Sequence, residues 1–266
     1  RLSTALALFG GLTFFSASAA LAAPCGNPSA GFGAWKAAFA SEARQAGVGQ
    51  KGLQALAATR YASRTIAADR NQKSFRYSLE KFMQVRGSAT IVSQGRALKT
   101  RNARFYDALE RSYGVPAGVL IAIHGMETGF GRFMGDSQVV SAIATLAYDC
   151  RRSAFFVPHA IGALKLVDKG SITAQTKGAL HGELGHTQFL PGNALTYGVD
   201  ADRNGRVDFY SQADALASTA NFLRQKGWKP GRGYQPGEPN FRVIEAWNAA
   251  EVYQKAIAIM GARIDG

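Results

Sequence analysis

Helical spacing of apolar side chains is the feature that most constrains this fold, because runs that alternate β-branched with polar residues are nearly absent. Phe32, Trp35 and Phe39 recur at the spacing of a buried helix face. Similar patterns predict helices over about residues 52–60, 74–85, 100–113, 116–127, 137–149, 153–168, 216–223 and 243–260. Hydrophobic residues make up 47% of the chain and charged residues 18%, which excludes a disordered protein. We therefore expect a mostly α fold with a sizeable core.

The first 23 residues have the composition of an export signal. Between Leu2 and Ala23 no residue is charged, and the apolar run ends in small side chains. This pattern is typical of a secretory signal peptide over residues 1–23, with an uncleaved membrane anchor as the alternative. No later stretch is long and apolar enough to span a bilayer, so we expect no transmembrane segment in the mature protein.

The remaining chain divides into three predicted parts. Residues 24–110 form an N-terminal helical segment, and residues 111–228 form a central unit that carries most of the motifs described below. Residues 229–266 begin with a loop rich in Gly, Pro and Tyr and end in a last helix. We expect this C-terminal segment to complete the central unit.

The chain has two cysteines, and export would place both in an oxidising compartment. Cys25 and Cys150 are then predicted to form a disulfide that ties the mature N-terminus to the middle of the chain. The alternative is that Cys150 is a small buried hydrophobic side chain. Two thiols are too few for a disulfide-rich scaffold, so the fold must be held by packing.

One carboxylate, Glu127, ends a helix that is otherwise almost entirely apolar. The run from Val119 to Ile123 leads through His124-Gly125-Met126 into this glutamate. A carboxylate held against aliphatic side chains loses hydration, so its pKa rises and it retains a proton near neutral pH, as a general acid must. The alternative is a structural ion pair between Glu127 and one of the many arginines.

Residues 200–211 resemble an EF-hand calcium loop. Oxygen-bearing residues stand at loop positions 1, 3, 5 and 7, where alternate ligands converge on one cation: Asp200, Asp202, Asn204 and Arg206, the last through its carbonyl. Position 12 is Ser211, not the bidentate glutamate of the motif. A structural Ca²⁺ site and an Asx-rich turn without a metal both remain open.

Five segments of the chain resemble the lytic murein transglycosylases of the B type. They are Tyr113-Gly114-Val115-Pro116, Gly125-Met126-Glu127-Thr128-Gly129-Phe130-Gly131, Ala144-Thr145-Leu146-Ala147-Tyr148-Asp149, Gly185-His186-Thr187-Gln188-Phe189-Leu190-Pro191 and Ser218-Thr219-Ala220-Asn221-Phe222. The resemblance implies an α-rich, lysozyme-like (α+β) catalytic domain that needs no cofactor. It also implies cleavage of the MurNAc–GlcNAc β-1,4 bond of peptidoglycan in the periplasm, without water, leaving a 1,6-anhydro-MurNAc end.

The same resemblance assigns roles to individual residues. Glu127 is expected to be the single acid and base, while the N-acetyl group of the substrate stabilises the reacting carbon, a known exception to the rule of two carboxylates. The expected substrate-binding residues are Gln188, Phe189, Asn221, Phe222, Trp247, Tyr197 and Glu183. For Glu183, three roles remain open: a second catalytic carboxylate other than a nucleophile, a residue that fixes the groove, and an ion-pair partner of an arginine.

Three positions depart from the family pattern. Many relatives carry Tyr where this chain has Phe222 and Trp247, and some carry Ser in place of Ala179. Aromatic surfaces are retained, but hydroxyl groups are lost. The alternatives to a lytic transglycosylase are therefore a non-catalytic peptidoglycan-binding or scaffold protein and a lysozyme-like hydrolase.

The chain is strongly basic, with a formal net charge of +13. Lys and Arg in this number can bind phosphates, but an exported protein meets little nucleic acid. We expect peptidoglycan strands as the partner, with muropeptide carboxylates and anionic lipid headgroups concentrating the protein at the cell wall and other cell-wall enzymes as further candidate partners. The alternative is that the charge only forms a solvated surface.

Overall fold

The structure is a computed structural model that describes residues 22–71 and 76–266. The predicted signal peptide at 1–23 lies almost wholly outside the described residues. Two short strands pair antiparallel, with Ser137 opposite Gly178: β1 (Ser137–Gln138) and β2 (Lys177–Gly178). The helices are α1 (Phe32–Gln45), α2 (Gln50–Ala58), α3 (Ser63–Arg70), α4 (Leu79–Val85), α5 (Ser88–Arg101), α6 (Ala103–Tyr113), α7 (Ala117–Thr128), α8 (Val139–Tyr148), α9 (Ser153–Asp168), α10 (Pro191–Tyr197), α11 (Gln212–Gln225), α12 (Phe241–Trp247) and α13 (Glu251–Asp265).

The prediction of a mostly α fold is confirmed, and most helices lie where the apolar spacing places them. Helices α3, α5 and α10 were not predicted, because their sequences are short or rich in polar side chains. In the described part of the chain, no helix is both long enough and apolar enough to cross a membrane.

Helix α7 lies at the centre of the molecule, and every residue from Ala117 to Met126 is buried. It packs against α13 and α5, which explains why its sequence has no polar face. Gly118 permits the close approach to α13, since a Cβ atom there would overlap the carbonyl oxygen of Gly261. Its amide also donates a 2.9 Å hydrogen bond to Asp265 at the end of α13. The helix therefore carries its C-terminal carboxylate into the middle of the fold.

The prediction of a single helix over 243–260 is wrong, because the helix is interrupted between Trp247 and Glu251. Asn248 adopts an extended conformation there, and its side chain accepts a hydrogen bond from the amide of Ala250. Asparagine competes with helix formation through such local side-chain contacts. The break separates α12 from α13, so that Trp247 at the end of α12 and Tyr253 in α13 both reach Glu127.

The predicted disulfide between Cys25 and Cys150 is present. Beside it, the amide of Gly26 donates to the carbonyl of Tyr148 at 2.9 Å, and the Tyr148 hydroxyl donates to Pro28 at 2.7 Å. Covalent and hydrogen bonds together anchor the N-terminal residues on the end of α8.

Candidate active site

A cleft of about 420 Å³ opens above the C-terminal end of α7. Glu127 contributes to its floor, and the other walls come from the loop before α10, from α11 and from the end of α12. The lining residues are Glu127, Ala179, Leu180, His181, Glu183, Gln188, Phe189, Leu190, Asn193, Phe222, Trp247 and Asn248. The structure thus brings together five of the seven predicted substrate-binding residues around the predicted acid.

One oxygen of Glu127 is held by two donors. The Tyr253 hydroxyl donates to Oε1 at 2.5 Å, and the indole N–H of Trp247 donates to the same atom at 3.3 Å. Among the described residues, no protein group hydrogen-bonds the other oxygen, Oε2. The two donors therefore orient the carboxylate and leave Oε2 to carry an exchangeable proton.

The surroundings of Glu127 favour its protonated form. Burial raises the pKa of Glu127 to about 7, although the hydrogen bonds from Tyr253 and Trp247 lower it and the charge of Glu183 raises it further. No lysine or arginine in the described ranges forms an ion pair with this carboxylate, which argues against the structural alternative. A carboxyl group that titrates near neutral pH can act both as general acid and as general base.

Hydrogen bonds join two of the sequence motifs behind the cleft. The Thr128 hydroxyl donates to the carbonyl of His186 at 2.6 Å, and it accepts from the amide of Gly131 at 2.9 Å. Gly131 has a positive φ of 86° and lies against the His186 ring, so a side chain at position 131 would clash with that ring. The Glu-Thr-x-x-Gly motif therefore locks the end of α7 to the loop that carries Gln188.

A histidine pair, one buried and one half-buried, supports the same junction. His124 Nε2 lies 2.9 Å from His186 Nδ1, and His186 Nε2 lies 3.2 Å from the carbonyl of Tyr210. Because a carbonyl only accepts, His186 carries its proton on Nε2, and His124 must donate to Nδ1. Burial lowers the pKa of His124 to about 3 and lowers that of His186, so both rings are neutral.

The loop with Gln188 is held in a tight hairpin. Leu184 and Phe189 exchange two backbone hydrogen bonds of 2.8 and 3.0 Å. Gln188 itself has a positive φ of 55°, and its side-chain amide donates to Gly185 at 2.7 Å. A left-handed conformation is uncommon for glutamine and marks a position where the fold imposes a particular side-chain direction, here toward the cleft.

Glu183 contributes a second carboxylate to the cleft. Burial raises its pKa to about 7, opposed by the backbone N–H groups of Glu183 and His181 and by the charge of Arg152. Its Oε2 atom is fully buried and has no hydrogen-bond partner among the described residues. Within the same part of the chain, no arginine forms an ion pair with Glu183, although His181 Nδ1 lies 3.8 Å from Oε1. The carboxylate thus faces the cleft without a strong protein counter-charge.

The aromatic wall of the cleft consists of Phe189, Phe222 and Trp247, which pack edge to face at centroid distances of 5.1 to 6.3 Å. Asn221 and Tyr197 lie outside the cleft lining. The Asn221 amide donates to the Tyr197 carbonyl at 2.9 Å, and the Tyr197 ring packs on Phe222 at 4.9 Å. The geometry therefore gives these two residues a supporting position behind the wall, and substrate binding by them stays a prediction.

The predicted calcium loop brings several carboxylates together. Oxygens of Asp200, Asp202 and Asp214 lie within 4.8 Å of one another. Asp214 was not predicted as a ligand; it is buried and accepts the amides of Ala201 and Asp208, each at 2.8 Å. Hard carboxylate oxygens in this arrangement fit Ca²⁺, and Asp214 supplies the acidic group that Ser211 lacks.

The side chains of Asn204 and Arg206 form hydrogen bonds within this loop. The Asn204 oxygen accepts the amide of Arg206 at 3.0 Å, and the Arg206 guanidinium pairs with Asp208 at 3.1 Å. These are the contacts of an Asx-rich turn. Both interpretations of the loop therefore keep support, and the two are compatible because a turn of this kind can precede metal binding.

Sequence analysis missed the residue that contacts Glu127 most closely. Tyr253 lies 126 positions away along the chain, inside a predicted helix whose apolar pattern suggested only core packing. Asn193, Asn248 and His181 were likewise not assigned to the cleft. No local signal identifies such residues, since only the packing of α13 on α7 places Tyr253 beside the acid.

Comparison with known proteins identifies relatives across most of the chain. Residues 31–236 match the model of the transglycosylase SLT domain. Membrane-bound lytic murein transglycosylase B of Escherichia coli (strain K12) is 32% identical over 149 residues, which cover 52% of this chain and 41% of that protein. The match therefore spans about two fifths of the length of this relative.

Solved structures show the same architecture. SltB3 from Pseudomonas aeruginosa in complex with NAG-anhNAM-pentapeptide is 27% identical, covers 88% of this chain and 80% of its own, and superposes with a TM-score of 0.79. Lytic transglycosylase Slt35 of Escherichia coli in complex with calcium is 20% identical and has a TM-score of 0.72, and the match covers 86% of this chain and 92% of that chain. At this identity the match shows a shared fold and nothing more.

These matches confirm the lysozyme-like fold and the resemblance drawn from the five sequence segments. The matched range begins before α1 and ends in the loop before α12, so it includes Glu127, Glu183 and the Gln188 hairpin. Since the family model spans well over half of the chain, the protein belongs to the family defined by the transglycosylase SLT domain.

Proposed function

We propose that this protein is a lytic transglycosylase that cleaves the MurNAc–GlcNAc β-1,4 bond of peptidoglycan and leaves 1,6-anhydro-MurNAc ends. The observation that carries the proposal is the state of Glu127: a half-buried carboxyl group that is oriented through Oε1 and lines a cleft with aromatic and amide side chains. Family membership and a relative solved with an anhydro-muropeptide support the same chemistry.

In the proposed reaction, Glu127 serves twice. It first gives the proton on Oε2 to the glycosidic oxygen, so that the bond between C1 and the leaving sugar breaks while the acetamido oxygen supports C1. The resulting carboxylate then removes the proton of the C6 hydroxyl as O6 bonds to C1. No water is consumed, and the enzyme returns to its starting protonation state.

The aromatic wall and the amides have matching roles in this proposal. Trp247 is half-buried and offers apolar surface to sugar rings, with the almost fully buried Phe189 and Phe222 packed against it. Gln188 and Asn248 offer polar contacts to hydroxyl and acetamido groups. Trp247 also supplies through its indole N–H a contact to Glu127 that a phenylalanine could not make.

We further propose that the protein acts in the periplasm after export through the predicted signal at 1–23. Residues 24–110, 111–228 and 229–266 would form the N-terminal helical segment, the catalytic core and the segment that completes it. Helix α13 supports the last assignment, since it packs on α7 and contributes Tyr253 to the site. Other cell-wall enzymes remain candidate partners.

No cofactor takes part in the proposed chemistry, but a structural Ca²⁺ fits the loop at Asp200. Asp200, Asp202 and Asp214 would hold the ion, and the cation would neutralise three clustered carboxylates and stabilise the loop before α11. The Slt35 structure, which was solved with calcium, shares this fold.

The experiment that tests the proposal is mass spectrometry of the fragments released from purified sacculi by the mature protein, with Glu127→Gln in parallel. Glu245→Gln is the matched control, because Glu245 is exposed on α12 and does not line the cleft. Anhydro-muropeptides from the wild type and from Glu245→Gln, and none from Glu127→Gln, would support the reaction and the residue together.

Other products would select one of the alternatives. Fragments with reducing ends would indicate a lysozyme-like hydrolase that uses the same acid with water. No release by any variant, with sacculus binding intact, would indicate a peptidoglycan-binding scaffold.

A further inference from the structure

The second carboxylate of the cleft has no role in the reaction described so far. Glu183 lies at the junction of two cavities: the cleft that contains Glu127, and a neighbouring cavity of about 440 Å³ lined by Arg152, Phe155 and Phe156. A glycan that runs from one cavity into the other must pass this carboxylate. At this position, Glu183 can bind the glycan or take part in its cleavage.

The backbone around Glu183 is rigid, so the carboxylate is held in place. The Glu183 carbonyl accepts the amide of Ala179 at 3.1 Å, and the next residue, Leu184, is paired with Phe189. Gly182 precedes it with a positive φ of 83° and lies against Ile143, which leaves no room for a side chain. Such a carboxylate is preorganised and loses little freedom when a ligand binds.

The hydrogen bonding of Glu183 is incomplete, and part of its side chain is open to the cleft. A buried carboxylate oxygen without a hydrogen bond costs free energy, and such atoms are rare unless water or a ligand completes them. In the described part of the chain, nothing completes the buried Oε2 of Glu183, while 24% of the side chain stays exposed, where a donor on the ligand can reach it. Every sugar of the proposed substrate carries an acetamido N–H, which is a donor of the required kind.

We propose that Glu183 accepts a hydrogen bond from the acetamido N–H of the sugar whose C1 reacts, and that its negative charge stabilises the cation formed when the acetamido oxygen closes on C1. This inference rests on the proposed function. It makes Glu183 a second catalytic residue that contacts the substrate without forming a covalent bond to it.

The step balances without a further reactant. The bond between C1 and the leaving oxygen breaks as Glu127 protonates that oxygen, and a bond forms between C1 and the acetamido oxygen. Positive charge then spreads over the new five-membered ring, including its N–H, and Glu183 lies against it as an anion. When O6 attacks C1, the bond to the acetamido oxygen breaks and Glu127 takes the proton of the C6 hydroxyl.

Glu127 and Glu183 can hold different protonation states because their charges interact. The charge of Glu183 raises the pKa of Glu127, so the pair retains one proton over part of the neutral range. Tyr253, Trp247 and Arg86 also face Glu127, while His181 and Arg152 face Glu183. Activity then requires Glu127 protonated and Glu183 ionised, which predicts a bell-shaped pH profile.

The test compares Glu183→Gln with the wild type in kcat, KM and pH profile on soluble glycan strands. Glu183→Gln keeps the shape of the side chain and removes its charge. Glu183→Asp keeps the charge but shortens the side chain by one methylene group. The matched control is Glu245→Gln. Two ligands complete the test. The thiazoline of N-acetylglucosamine copies the closed ring, and its ring nitrogen pairs with Glu183 when one proton is shared between them. Chitotetraose has open acetamido groups and is measured in a Glu127→Gln background.

We expect Glu183→Gln to lower kcat about 10- to 100-fold, the value of a charge-assisted hydrogen bond, with KM changed less than about threefold. Thiazoline affinity falls by a similar factor, while chitotetraose affinity is retained. The acidic limb of the pH profile is lost, and the basic limb moves to lower pH because the charge that raises the pKa of Glu127 is gone. Glu183→Asp retains part of the rate.

Several results would overturn the inference. A kcat near the wild-type value in Glu183→Gln would show that the charge is not needed. A rise in KM together with a loss of chitotetraose affinity, at constant kcat, would make Glu183 a groove residue only. If the wild type itself released no anhydro products, the proposed function would fail, whereas unchanged thiazoline binding would count against Glu183 separately.

Discussion

The hydroxyl of Tyr253 lies 2.5 Å from Oε1 of Glu127, although the two residues are 126 positions apart in the sequence. Tyr253 is fully enclosed, and burial raises its pKa well above 10, with the charge of Glu127 as a further cause. The phenol therefore stays protonated and acts as a permanent donor. The contact fixes which carboxylate oxygen faces the substrate.

Tyr253→Phe is expected to lower kcat about tenfold, because it removes a hydrogen bond to a charged group and frees the carboxylate to rotate. The Tyr253 hydrogen bond lowers the pKa of Glu127, so its loss raises that pKa and moves the basic limb of the pH profile to higher pH. Kinetics across pH 5 to 9 would check both effects.

Tyr106→Phe is the matched control for this prediction. The Tyr106 hydroxyl is buried in α6 and has no partner among the described residues. Its removal should leave the pH profile unchanged. A wild-type profile in Tyr253→Phe would contradict the orienting role.

Two tryptophans allow catalytic and structural effects to be separated. Trp247 donates to Glu127 at 3.3 Å, whereas Trp228 donates to the carbonyl of Gly114 at 2.8 Å in the core. We expect Trp247→Phe to reduce kcat severalfold with little change in melting temperature. Trp228→Phe should instead cost about 1 to 3 kcal/mol of stability, since it leaves a buried carbonyl unpaired, and should leave kcat near normal.

The comparison requires melting curves and kinetics on the same samples. Equal loss of stability in both variants, or a full rate in Trp247→Phe, would show that the indole N–H of Trp247 has no role in the reaction.

Local sequence signals predicted most of the helices and singled out Glu127, but they did not predict the contacts made between elements. The apolar run before Glu127 predicted a buried helix, because a helix that is buried on every side must lack a polar face. The break at Asn248 was missed, since an apolar pattern continues on both sides of it. Tyr253 and Asp214 were missed for a related reason: each acts on a site whose other members lie elsewhere in the sequence.

The disulfide between Cys25 and Cys150 closes a loop with a sequence separation of 125. Reduction or the double variant Cys25→Ser/Cys150→Ser is expected to cost about 2 to 4 kcal/mol, because the unfolded chain regains the freedom that the bond removes. Denaturant unfolding with and without reductant would measure this loss in the free energy of unfolding. Activity at low temperature should persist, as neither cysteine lines the cleft. A variant that is insensitive to reductant and as stable as the oxidised wild type would refute this prediction.

Millimolar Ca²⁺ is expected to raise the melting temperature of the wild type by a few degrees, because a ligand bound only to the folded state stabilises it. Asp202→Asn should abolish the gain, since Asp202 is exposed and is one of three converging carboxylates. Asp136→Asn is the control, because Asp136 pairs with Arg64 at the surface, away from the three converging carboxylates. An unchanged melting temperature with calcium would favour the turn without a metal.

Glu127→Gln should be more stable than the wild type at pH 8 but not at pH 4. The carboxyl group has a pKa of about 7 in the folded state against its ordinary value of 4.5, so the folded state binds more protons than the unfolded state between these values. Stability therefore falls as pH rises through this window, by up to about 3 kcal/mol for this group. The glutamine is neutral throughout and avoids the penalty. Thermal unfolding of wild type, Glu127→Gln and the surface control Glu245→Gln at both pH values would measure the difference. A gain of equal size at pH 4 and pH 8 would mean that desolvation of Glu127 is not its cause.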